Sequence, residues 1–258
     1  MSASVHPGAF VDPRARLGEC VVIGPGAVVG PDVAIGDRTR VDSHALLSGW
    51  TTIGADCHIH HGAVLGTPPQ DLKYAGEPSF LVVGDRTVCR EYMTANLATE
   101  PGFTTRIGSD CLLMAYAHVA HNCQVGGHVV IANAVQMAGY VVVDDWAIVG
   151  GGTVVHQFVR IGRHSMIGGG SRIAQDVAPF VKSAGSPPRN AGINSIGLAR
   201  RGVPATTREA IERTYRIFFR DGLTSARAVE EIRARWPGVP EVEHFARFCE
   251  TSVRGISR

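Results

Sequence analysis

No stretch of the 258-residue sequence approaches the roughly 18 consecutive apolar residues of a transmembrane helix, so no integral membrane segment is expected. The opening MSASVHPGAFVDPRARL also lacks the apolar core of a secretory signal, and a cytoplasmic protein is expected. No CxxC pair occurs among Cys20, Cys57, Cys89, Cys111, Cys123 and Cys249. A chain of this length does not need disulfides to fold, so the thiols are read as reduced. Charge is sparse too: 19% of residues are charged and the formal net charge is +2. The chain as a whole therefore offers no electrostatic case for nucleic acid.

What the sequence does have is 31 glycines, regularly placed. From Val5 the chain divides into blocks of six: VHPGAF, VDPRAR, LGECVV, IGPGAV, VGPDVA, IGDRTR. The pattern resumes at Ile107 as IGSDCL, LMAYAH, VAHNCQ, VGGHVV, IANAVQ, MAGYVV and runs on to IAQDVA. Each block opens on an aliphatic residue, often followed by glycine. Neither a helix nor a plain strand has a period of six. One short strand and one turn per block does, with the aliphatic opener facing a narrow core and the glycine permitting an unusual corner angle. Three blocks close a triangular coil of about 18 residues, and the coils stack as a solenoid.

This period resembles the hexapeptide-repeat family, which implies an all-β solenoid: a left-handed parallel β-helix over residues 1–190. Two polar, irregular stretches, 66–82 and 97–106, interrupt the blocks and read as loops of the kind that carries binding residues. Residues 191–258 read as a small helical domain. Its first long helix lies in TTREAIERTYRIFFRDG, with Thr206 and Glu209 as a capping box and Ile211, Tyr215 and Phe218 as the apolar stripe. TSARAVEEIRARWPG is a second helix, and a third starts at Pro240.

The period also places histidines. Val119, Met137 and Val155 open blocks on one face of three successive coils. His121, Tyr140 and His156 lie in those blocks, and His118 ends the preceding block at its corner. Such a grouping reads as a general base with helpers. A zinc set of His118, His121 and His156, and a solvated face, are the two rival readings. No metal is expected, because zinc chemistry would leave the loops and helices without a role.

QDLKYAGEP (70–78), AHVAHNC (117–123), VHQF (155–158), AQDVAPF (174–180) and GINSIGLARRG (192–202) together resemble the acyl-[acyl-carrier-protein]–UDP-N-acetylglucosamine O-acyltransferases of lipid A biosynthesis. The resemblance covers essentially the whole chain. It implies transfer of a 3-hydroxyacyl group to the sugar 3-position, with His121 as general base and the Gly139 N–H as oxyanion donor. It further implies substrate contacts from Gln70, Asp71, Lys73, His118, Tyr140, His156 and Gln157. Asn194, Arg200 and Arg201 match the nucleotide-binding end, and Gly169 matches the position that limits acyl length. The implied assembly is a homotrimer acting with acyl carrier protein and a UDP-sugar. No cofactor is implied beyond the 4'-phosphopantetheine that the donor carries. Residues 200–223 hold six arginines against three carboxylates, a surface suited to an acidic carrier.

Tyr140, Asn96, Leu97, Asn122 and Ile196 depart from the family pattern. The first three fall where the acceptor sugar is expected. They leave open a 3-amino UDP-sugar acceptor giving an amide, and beside it an inactive scaffold. Asn122 is read as orienting His121 through its backbone carbonyl or a nearby group.

Overall fold

Each six-residue block folds as a two-residue strand and a tight turn in a computed structural model, which describes residues 2–257. Strands three apart in sequence pair in parallel, so every coil visits three sheets, of eleven, nine and eight strands. His118 pairs with Gln136 and Val119 with Met137, fixing the advance at one coil per three blocks. The coil is left-handed. In each short strand the second residue points inward. Ile59, Cys89, Leu113, Ile131, Val149 and Ile167 therefore stack as one buried column of the first sheet. Burying such a side chain contributes about 1.5–3 kcal/mol, repeated at every level of three such walls.

The glycines act differently from the sequence expectation. Those after the aliphatic opener, such as Gly36, Gly54 and Gly84, do not take left-handed backbone angles. A Cβ on Gly36 would lie 2.6 Å from the backbone nitrogen of Ala55, so the next coil excludes it. The left-handed angle falls instead on the second turn residue, which is often large: Asn122 (φ 60°), Tyr140 (61°) and Phe158 (64°). The strain there, of order 1–3 kcal/mol per residue, is offset by the backbone bonds each corner makes to the coil before it, such as Tyr140 N–H to His121 O at 3.1 Å.

Phe80–Val83 pairs along its full length with Trp50–Ile53 and with Thr104–Ile107. The two loops are thus confined to 68–79 and 97–103, shorter than the sequence suggested, because their flanks are captured by the third sheet. At the far end an antiparallel pair, Val181–Gly185 with Pro188–Ile193, extends the first sheet and runs across residue 190. The period gave no sign of this hairpin.

Four helices follow: α1 (Ser195–Arg200), α2 (Ala205–Phe219), α3 (Ser225–Arg235) and α4 (Pro240–Glu250). The expected capping box at α2 is absent. The helix already begins at Ala205 with Pro204 as its cap, so Thr206 lies inside the first turn, where its side chain cannot cap. Ile211, Tyr215 and Phe218 are buried as expected. The Tyr215 hydroxyl donates to Asn190 O and accepts from Gly192 N–H, both at 3.0 Å, tying α2 to the hairpin. Among the described residues no helix is long and apolar enough to cross a membrane.

Candidate active site

The corner between the second and third sheets stacks three turns directly: His121–Asn122, Gly139–Tyr140 and Gln157–Phe158. The Tyr140 and Phe158 rings stack at 4.8 Å, and His121 meets Tyr140 edge-on at 5.4 Å. Gly139 lies against the imidazole: a Cβ there would stand 2.4 Å from His121 Cε1 and 2.6 Å from Nε2. Only a glycine lets the ring occupy this place. Among the described residues the Gly139 amide has no acceptor.

The loop 97–103 fixes the protonation of His121. The Thr99 backbone N–H donates to Asn122 Oδ1 at 3.0 Å, and Asn122 Nδ2 donates to Glu100 Oε2 at 2.7 Å. These two bonds settle the amide orientation, so Oδ1 is the atom 3.0 Å from His121 Nδ1. A carbonyl oxygen only accepts, which places the proton on Nδ1 and leaves Nε2 with its lone pair. Thr99 Oγ1, 2.9 Å from Nδ1, holds the ring from the other side. The orienting group is therefore the Asn122 side chain, not the backbone carbonyl named as first candidate.

Glu100 also accepts a short hydrogen bond from the Tyr140 hydroxyl. That bond, chiefly, holds the Glu100 carboxyl below its usual range. Burial first, then Glu100, pushes the Tyr140 phenol up to about 12, so it stays a donor at any physiological pH. Because the folded carboxyl titrates lower than the unfolded one, its contribution to anchoring the loop is complete above the unfolded value, near pH 4.3. It is lost as the pH falls through the lower folded value. The protection factors of the 97–103 amides, exchange rates normalised for the intrinsic effect of pH, are expected to be high at pH 7 and to fall below about pH 4.

Loop 68–79 forms the opposite wall. Gln70, Asp71, Leu72, Lys73 and Glu77 face Thr99, Glu100, His121, Tyr140 and Gln157 across a cleft of about 780 Å³. The loop is pinned at its base by Asn96, whose Nδ2 donates to Thr67 Oγ1 at 3.0 Å and Pro68 O at 3.1 Å. Asn96 and Leu97 are buried, and Leu97 fills the space beside Gly49. They act on the cleft as loop anchors and do not line it.

Other expected residues stand elsewhere. His118 is not at the corner but on the outward face of the strand His118–Val119, bonded through Nδ1 to Thr94 Oγ1 at 2.7 Å. Burial, with His121 nearby, pushes its imidazole below the ordinary range. His156 is exposed and donates from Nδ1 to Gln157 O at 3.1 Å. Within one chain, His118, His121 and His156 do not form a three-ligand group. Gly169 occupies the other corner of the second sheet, stacked on Gly151. Asn194 is buried and structural here: it donates to His164 O at 2.9 Å and caps α1 by accepting from Gly197 N–H. Arg201 lies over the Trp146 ring at 4.8 Å, and burial lowers its affinity for a proton. Arg200 and Ile196 are exposed on α1. On α2, Arg213 and Arg216 are already paired with Glu209 and Glu212.

Sequence reasoning missed Thr99 and Glu100. They sit in the irregular loop, outside any period; Thr99 meets His121 and Glu100 meets Asn122, each across 22 positions of chain.

Comparison with known proteins settles the family. The profile described as "Udp N-acetylglucosamine O-acyltransferase; Domain 2" matches residues 176–257, and that for six bacterial transferase hexapeptide repeats matches 104–139. An acyl-[acyl-carrier-protein]–UDP-N-acetylglucosamine O-acyltransferase of Paracidovorax citrulli is 47% identical, covering 99% of this chain and all of the relative. The chain belongs to this family. Its counterpart from Chlamydia caviae is 44% identical over 99% of this chain and 92% of its own. A solved UDP-N-acetylglucosamine acyltransferase of Bacteroides fragilis superposes with a TM-score of 0.95 at 38% identity, covering 98% of this chain and 99% of that one. An Acinetobacter baumannii structure gives the same TM-score at 40% identity, covering 98% and 99%.

In this acyltransferase Glu100 reaches His121 only through Asn122, as a positioning and charge-stabilising residue. Glu100→Gln is expected to lower kcat about tenfold, about 1.4 kcal/mol, with KM little changed. Steady-state kinetics at saturating acceptor checks it.

Proposed function

We propose that the protein transfers a 3-hydroxyacyl group from acyl carrier protein to the 3-hydroxyl of UDP-N-acetylglucosamine, the opening step of lipid A biosynthesis. We place it in the cytoplasm, working as a homotrimer. The observation that carries this reading is the committed tautomer of His121: its Nδ1–H is engaged by Asn122 and Thr99, and its basic Nε2 stands beside the Gly139 amide.

Nε2 takes the proton of the sugar hydroxyl as that oxygen attacks the thioester carbonyl. The tetrahedral oxyanion accepts the Gly139 N–H. Collapse expels the phosphopantetheine thiolate, and the imidazolium returns the proton to it. Glu100, acting through Asn122, holds the ring in place meanwhile. The thioester arrives activated, so no metal or redox group is asked to take part.

Gln70, Asp71, Lys73, Tyr140 and Gln157 are assigned to the acceptor sugar and the pantetheine arm, because they line the cleft with His121. His118 and His156 are assigned to positioning the substrate. Asn194, Arg200 and Arg201 are assigned to the nucleotide, with a guanidinium suited to its pyrophosphate. The Leu72 side chain is fully exposed on the cleft loop, which suits a loop that reaches onto a neighbouring subunit. Gly169 and Gly151, stacked without side chains, leave room for a long acyl chain.

The test offers 3-hydroxyacyl carrier protein to the enzyme with UDP-N-acetylglucosamine and its 3-amino analogue together, and weighs the products. Ester is expected. Preferential amide would overturn the acceptor assignment, and no product from intact trimers would overturn the reading.

A further inference from the structure

A second group of titratable side chains lies on the outer face of the first sheet. Asp42 and His60 follow the paired strands Arg40–Val41 and His58–Ile59, one coil apart, and His58 heads the second of these strands. Their side chains converge. His58 Nε2 lies 2.8 Å and His60 Nδ1 3.6 Å from the same atom, Asp42 Oδ2. The three ligand atoms all fall within 4.8 Å of one another. The two imidazoles stack at 3.7 Å with planes 26° apart, which holds the two side chains side by side. All three side chains are half-buried, at 21%, 35% and 18% exposure for Asp42, His58 and His60.

We propose that Asp42, His58 and His60 form a divalent transition-metal site that clips two successive coils together. The donor set, two imidazoles and a carboxylate, suits zinc. At zinc–ligand bonds of about 2.0–2.1 Å, tetrahedral neighbours stand roughly 3.3 Å apart, close to the spacings found. Arg40 occupies the other oxygen, Asp42 Oδ1, at 2.7 Å and leaves Oδ2 for the metal, a second-sphere arrangement that orients the ligand. Glu91 Oε1 lies 3.5 Å from His60 Nδ1, but both its oxygens are held by Arg90, so water takes the fourth position. A bare ion pair between His58 and Asp42 would need neither the second imidazole nor its stacking.

The experiment uses full-length enzyme stripped with EDTA and titrated with zinc chloride against a chromogenic chelator. One zinc per chain and a raised Tm are expected from the wild type. The His58→Ala/His60→Ala double variant is expected to lose both effects while keeping acyl transfer, since neither residue lines the catalytic cleft. Asp42→Asn, the conservative change, is expected to weaken zinc about tenfold or more. His121→Ala is expected to bind zinc as the wild type does. Absence of stoichiometric zinc in the wild type, zinc retained by the double variant, or zinc lost in His121→Ala each overturns the proposal.

Discussion

His121→Ala is expected to lower kcat by on the order of 10²–10⁴-fold, about 2.7–5.4 kcal/mol of barrier, with the fold and its Tm retained. The corner that carries His121 is built from backbone bonds, which alanine keeps. What is lost is the imidazole whose tautomer is set by Asn122 and Thr99 and whose free nitrogen lies against Gly139. His118, three positions earlier in the chain, cannot substitute, because its Nδ1 is bound to Thr94 and its ring stands outside the cleft lining. Single-turnover acyl transfer with saturating acceptor is the measurement. A variant within threefold of wild type would remove the general base from the mechanism.

Gly139→Ala is expected to cost about 10²-fold in kcat although the change is one methyl group. The backbone at Gly139 is not left-handed, so alanine is tolerated by the chain itself. The obstacle is the imidazole, which would meet the new carbon at 2.4 Å. The ring cannot swing away without breaking its bonds to Thr99 and Asn122. The methyl therefore displaces the base, crowds the oxyanion donor, or does both. Circular dichroism and thermal melting near wild type, with turnover lost, would locate the damage in the site. Full activity would show that the ring sits elsewhere during catalysis.

The period of six made the solenoid readable because each coil repeats one physical solution: an inward aliphatic, a turn and a ladder of parallel bonds. The same register put His121 and Gly139 on adjacent coils before any coordinates. It misjudged the glycines, since sequence shows which residue is small but not which neighbour demands it. It placed His118 at a corner by block boundary, whereas the turn begins three residues later at His121, one before the left-handed Asn122. Thr99 and Glu100 were invisible because their partners are reached across coils through an aperiodic loop. The helical domain was legible in its stripes and illegible at its entry, where Pro204 outcompetes Thr206 as cap. Departures from the family pattern resolve in part into mechanics: Asn96, read as a sign of a changed acceptor, anchors a loop, and Asn122 links His121 to the Glu100 carboxylate.

The backbones of His121 and Gly139 occupy equivalent places on consecutive coils, so their separation is one period of the stack. That backbone spacing is a lattice constant set by the ladder of parallel bonds, not by any one side chain. Such a site is sensitive to phase. A single residue inserted within an upstream coil would rotate every later wall out of alignment, whereas excising one whole coil of eighteen residues ahead of the loops would return the chain to the same phase. Length variation in this protein is therefore expected in whole-coil steps or in loops that leave and re-enter the same corner, as 68–79 and 97–103 do.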